Sequence, residues 1–204
     1  MVIYTIDGNI GSGKTTILNY LHKYKNFQID LEPVIKWKPF LDNIYLSKTG
    51  YFNFQIKVWL DRAWIQEKDN NSIIFMERSP YFIRNTFNKN DYINNNINID
   101  EYTVINELYQ KTDMIWKSNL YIYMRSSPDR CLERIKTRGR DNEMSLDMDY
   151  ITSIHNLHEE AYTELIKTND NVIIIDVDNK TIQEIVEEIL AKIEKNKSTS
   201  IFNN

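Results

Sequence analysis

Residues 8–16 read GNIGSGKTT, directly after the apolar run VIYTI and directly before ILNYLHKY. Gly8, Gly13, Lys14 and Thr15 match G-x-x-x-x-G-K-S/T in the strand-then-helix context that this pattern requires. Such a loop turns its backbone N–H groups toward phosphate oxygens, Lys14 adds a point charge, and the Thr15 hydroxyl suits Mg²⁺. The phosphate-binding set is therefore Gly8, Asn9, Gly11, Ser12, Gly13, Lys14, Thr15 and Thr16. A mere Gly-rich turn with a surface lysine would not need a strand on one side and a helix on the other.

Four more short apolar runs follow: FQIDL (27–31), IIFME (73–77), LYIYM (120–124) and VIIID (172–176). Each has strand length and is rich in β-branched or aromatic residues, with helical spacing between them. That alternation predicts an α/β fold, a five-stranded parallel sheet with helices on both faces. Helices are expected after the Gly-rich loop, from Phe52, over 101–117 and 147–167, and at the end from Ile182 to Ile193. One domain is expected over 1–195, with a loose tail over 196–204 and a surface loop over the Asn-rich NKNDYINNNINID.

A net charge of -4 with mixed signs excludes a broad basic face for nucleic acid. No run of about 18 apolar residues predicts a membrane span, and the single cysteine, Cys131, cannot bridge internally. A cytoplasmic protein without an organelle presequence is the expectation.

The loop alone leaves switch GTPases, ATPases and small-molecule kinases open. Asn88, Lys89, Asn90 and Asp91 spell N-K-x-D, a guanine-reading pattern, but no apolar strand precedes them. None of the glycines (8, 11, 13, 50, 139) has an aspartate three positions earlier, as a D-x-x-G switch would need. The GTPase reading is set aside on those two grounds.

Glu32 ends the second apolar run and precedes Pro33, which forces the chain out of the sheet in an extended form. A carboxylate at that edge of an open α/β sheet stands where ligands bind, and it suits proton removal from a hydroxyl. A solvated loop acid is the alternative. Arg78 and Glu77 end the next run and could grip Glu32, hold Mg²⁺ or simply pair with each other. Gln55 and Arg62 share one face of a predicted helix, and Gln55 carries the donor and acceptor that suit a base edge. Arg130, Arg134 and Arg138 recur every four residues, followed by Arg140, as a solvated stripe or as a lid over a transferring phosphoryl group.

Together, and in this order, GNIGSGKTT, LEPVIKW, FNFQ, MERSP and RIKTRGRDNE resemble the deoxyribonucleoside kinase family over residues 2 to about 165. The resemblance implies a P-loop kinase that moves the γ-phosphoryl of ATP, with Mg²⁺, to the 5′-hydroxyl of a deoxynucleoside. It gives Glu32 the general-base role, Arg78 its support, and Thr15 with Glu77 the metal. Arg134, Arg138 and Arg140 become arginines of a lid over about 134–145. Gln55 would read the base in a slot lined by Trp37, Val58, Ile83 and Phe87, with Tyr45 and Glu143 on the sugar 3′-hydroxyl. A homodimer is also implied.

This chain departs from the family where Arg62 would meet an aspartate, because Ile83 stands there. Arg62 is left to face a base acceptor, turn outward, or pair with Asp61 or Asp69, and the base preference stays open. A thymidylate-type monophosphate kinase and a nucleotide-binding switch module remain the competing readings.

Overall fold

A computed structural model describes residues 1–63, 73–168 and 171–201. Its sheet consists of β1 (Val2–Asp7), β2 (Gln28–Asp30), β3 (Ile73–Glu77), β4 (Leu120–Arg125) and β5 (Val172–Asp176). All pairings are parallel, in the order β2-β3-β1-β4-β5. β1 and β3 are therefore adjacent, so the phosphate loop after β1 and the Glu77–Arg78 pair at the end of β3 emerge side by side.

Alternation along the strands fills both faces. Tyr4, Ile6, Ile122 and Met124 point to a core completed by α1 (Lys14–Lys25) and α9 (Ile182–Ile201), through Ile17, Leu18, Leu21, Val186 and Ile189. Tyr121 and Tyr123 point the other way, onto Phe82 and onto Ala161 and Leu165 of α8 (Met148–Ile166). A third cluster joins α2 (Val34–Asp42), α3 (Tyr51–Arg62) and α6 (Ile99–Ile115) around Trp37, Val58, Ile105 and Tyr109.

The Asn-rich stretch is the expected surface loop only in part: residues 92–96 and 98–100 are exposed, but its first half is helical. A π-helical turn, Arg84–Asn88, runs from the short α4 (Pro80–Ile83) into α5 (Lys89–Ile93), and Asn88, Asn90, Asp91 and Ile97 are buried. The asparagines serve packing and capping: Ser153 Oγ donates to Asn90 Oδ1 at 2.7 Å, and Asn98 with Glu101 forms a capping box at the start of α6. N-K-x-D thus lies inside helical structure. Pro80 fits as the first residue of α4, with Ser79 as the cap that accepts from the Phe82 N–H at 3.1 Å. α9 continues to Ile201, into the segment expected to be loose. No Gly or Pro stands between Ile182 and Ile201 to stop it.

Gly11 shows why the loop sequence is demanding. Its φ is +82°, and a Cβ there would lie 2.4 Å from the carbonyl oxygen of Cys131 on α7 (Pro128–Arg138). Gly11→Ala is expected to lower stability by roughly 2–4 kcal/mol, from backbone strain plus overpacking. A lower urea midpoint at unchanged slope would report it.

Candidate active site

Lys14 is buried at the start of α1, with Nζ donating to the carbonyl oxygens of Gly8 (3.1 Å) and Asn9 (2.9 Å). Burial, with the Arg78 charge nearby, pulls its pKa down to about 8, while Glu77 and Glu32 oppose the fall. The Thr15 hydroxyl donates to Glu77 Oε1 at 2.8 Å, so the two expected metal-binding oxygens are neighbours. No cluster of three or more His, Cys, Asp or Glu suited to a metal occurs among the described residues. Thr15 and Glu77 fit a hard ion that takes only one or two protein oxygens and completes its shell with phosphate and water.

Arg78 adopts φ +64°, a conformation costly for a residue with a side chain. The strand end holds it there. Arg78 N–H donates to Ile6 O at 3.0 Å, and the next N–H, of Ser79, donates to Asp7 Oδ1 at 2.8 Å. Asp7 is fully buried, and burial raises its pKa to about 6 against the opposing hydrogen bonds from Ser79. The fixed guanidinium makes an ion pair from Nε to Glu32 Oε1 at 2.6 Å and donates to Gly8 O at 2.9 Å. Its carbon lies 4.4 Å from the centre of the Phe87 ring. Glu32 N–H in turn donates to Glu77 Oε2 at 3.4 Å. Glu32 is thus a mostly buried acid in a charged chain beside the phosphate loop, with its side chain 12% exposed.

A cavity of about 310 Å³ connects these groups. At one end lie Gly11, Gly13, Lys14, Thr15 and Thr16 of the phosphate loop. Glu32, Glu77 and Arg78 also line it, as do Trp37, Gln55, Val58, Ile83 and Phe87, the expected base slot. Tyr45, Arg138, Arg140 and Glu143 complete the predicted members on its wall. Burial and the Glu143 carboxylate both raise the Tyr45 pKa.

Arg62 does not join them. Fully buried on α3, it pairs with Asp30 at 3.1 Å and donates to the backbone oxygens of Leu31 (3.3 Å) and Glu77 (2.7 Å). Nor does Arg62 take the Asp61 alternative, since Asp61 accepts from Trp37 Nε1 (2.8 Å) and Lys57 (2.7 Å). Asp69 lies outside the described residues. Without an acid at position 83, the guanidinium finds its acceptors at the ends of β2 and β3 instead.

Sequence reasoning missed Asp91. It borders the cavity, and its Oδ2 accepts from Gln55 Nε2 at 2.7 Å. Burial raises the Asp91 pKa to about 6, against the hydrogen bonds from Gln55 and Asn96. A lone buried carboxylate in an Asn-rich stretch carries no local signal, and its partner is distant in sequence.

The arginine stripe divides. Arg130 pairs with Glu133 at 2.7 Å on the surface, as a solvated stripe would. Arg134 turns inward, donating to Ser126 Oγ at 3.0 Å and Gly11 O at 3.5 Å, beside the loop but off the cavity wall. Arg138 bonds to Glu143, and Arg140 reaches the same carboxylate at 3.1 Å. The predicted sugar ligand therefore ties together the two expected lid arginines that line the cavity.

The family model described as deoxynucleoside kinase matches residues 4–197. Protein 143R of Invertebrate iridescent virus 6 is 31% identical over 190 residues, covering 91% of this chain and 93% of its own. Deoxycytidine kinase 1 of Xenopus laevis is 30% identical over 189 residues, with coverages of 76% and 71%. Among solved structures, deoxyadenosine kinase from M. mycoides with bound dATP superposes with a TM-score of 0.77 at 25% identity, covering 95% of this chain and 100% of that one.

Proposed function

The chain belongs to the deoxynucleoside kinase family, and from that premise we propose that Glu32 takes the proton of a deoxynucleoside 5′-hydroxyl as that oxygen accepts the γ-phosphoryl of ATP. The products are ADP and a deoxynucleoside monophosphate. One observation carries the reading: phosphate loop, Glu32–Arg78 pair and Gln55 slot border a single cavity. A nucleoside laid in the slot would direct its 5′-oxygen toward the acid, and the triphosphate would approach from the Lys14 side.

Arg78 orients Glu32 through their ion pair, aiming a carboxylate oxygen at the position of the hydroxyl. Lys14 and the loop amides hold the donor phosphates, and Arg138 with Arg140 meets the charge that spreads over the moving group. Thr15 and Glu77 would hold Mg²⁺, which would neutralise charge on the donor phosphates. Tyr45 and Glu143 would take the sugar 3′-hydroxyl, and a tight fit there disfavours ribose. Arg134 would steady the loop through Gly11. Cytoplasmic residence and a homodimer complete the proposal; no helix among the described residues is long and apolar enough to cross a membrane.

The test offers the four deoxynucleosides, their ribose counterparts and thymidylate separately with ATP. Acceptor-dependent ADP release with deoxynucleosides is expected; release with thymidylate alone, or without any acceptor, would reject the reading. A pH effect follows from Lys14. Its ammonium is charged below about 8 and neutral above, so ATP affinity should fall as the pH rises from 7 to 9. A flat titration with a fluorescent ATP analogue over that range would contradict it.

A further inference from the structure

Gln55 and Asp91 form a polar pair on the wall of the cavity, which Val58, Ile83 and Phe87 and the hydroxyl-bearing Tyr45, Tyr51 and Tyr150 also line. A carboxylate only accepts hydrogen bonds, so the bond to Asp91 fixes which way the amide lies: nitrogen to the acid, Oε1 to the other side. That Oε1 is buried, and no group among the described residues donates to it. Gln55 itself is 3% exposed. An unpaired acceptor so deeply placed costs stability until a ligand donor reaches it. Among the described residues, the second Asp91 oxygen accepts a long bond from Asn96 Nδ2, at 3.4 Å. Of the two cations on the same helix as Gln55, Arg62 is tied to Asp30 and backbone oxygens and Lys57 to Asp61, so both have acceptors other than the Gln55–Asp91 pair.

We infer that Asp91 is a specificity-determining residue that, with the Gln55 amide it fixes, selects deoxynucleosides whose base carries an exocyclic amino group. The inference rests on the kinase reading above. An amino group brings two N–H donors to a site whose free valences are the amide oxygen and a carboxylate. A carbonyl oxygen in the same place would face these oxygens with nothing to donate. Sites built to accept from a donor reject the analogue that lacks it far more strongly than apolar pockets reject a change of size. Val58, Ile83 and Phe87 confine the ring but cannot discriminate between an amino and an oxo substituent of equal volume.

Deoxycytidine and deoxyuridine differ in this respect at nearly constant shape, as do deoxyadenosine and deoxyinosine. The wild-type protein is expected to favour the amino member of the pair it accepts by about a hundredfold or more in kcat/KM. Asp91→Asn can donate to a carbonyl and no longer imposes one amide orientation on Gln55, so it should shrink that ratio by about tenfold or more, with the oxo substrate gaining. An acid that merely supports the fold would leave the ratio unchanged. A wild-type ratio near one, or an unchanged ratio in the folded variant, overturns the inference. Should Asp91→Asn not fold, the wild-type ratios decide alone. Absence of activity with every deoxynucleoside would instead overturn the kinase reading, so the two failures are distinguishable.

Discussion

Glu32→Gln is expected to lower kcat about a thousandfold while ATP binds as before, within the range that a positioned general base contributes. The amide keeps the shape of the acid and offers Arg78 an oxygen in place of Oε1, now 2.6 Å from the guanidinium. What it loses is the capacity to receive a proton. The substitution thus separates holding Arg78 from activating the hydroxyl. Single-turnover rates at saturating ATP and nucleoside read the chemical step directly, and an unchanged rate would remove Glu32 from the reaction.

Arg138→Ala comes next, with an expected loss of about a hundredfold to a thousandfold in kcat. In the structure Arg138 is about one third exposed and bonded to Glu143, so its removal has little effect on folding. The cost appears as charge develops on the phosphoryl group, when a forked donor is needed. Deoxynucleoside KM should change only severalfold, because the interaction belongs to the transition state. Arg138→Lys should recover only part of the rate, since a point charge lacks the planar fork. A variant with full turnover and raised KM would assign Arg138 to ground-state binding.

The strands were legible because a central parallel strand is buried on both sides and must read as a continuous apolar run. IIFME coincides with the central β3; VIIID coincides with β5, which stands at the sheet edge and was legible from its β-branched run. The donor half of the site was legible for a similar reason: Gly11 has no room for a Cβ, and Lys14 and Thr15 must follow at fixed spacing. Glu32 and Arg78 could be placed together because β2 and β3 are neighbours and both residues leave the sheet at the same edge.

The base-reading end was less legible. Local polarity cannot distinguish an asparagine that caps a helix or fills a buried network from one in a solvated loop, so the buried Asn88, Asn90 and Asp91 look like their exposed neighbours 94–96. Gln55 and Asp91 lie 36 positions apart, and only the packing of α5 against the slot brings them within hydrogen-bond distance. Arg62 failed for a different reason. With no acid at position 83, its acceptors are Asp30 and two backbone oxygens, and no side-chain pattern announces a backbone acceptor.

A crystal structure with a deoxynucleoside and a non-hydrolysable ATP analogue would test the arrangement of the reacting groups most directly. The account predicts the 5′-oxygen within about 3.2 Å of a Glu32 carboxylate oxygen, the base edge on Gln55, and the terminal phosphate at Lys14. A nucleoside bound with its 5′-oxygen turned away from Glu32, or its base outside the Gln55 slot, would contradict it.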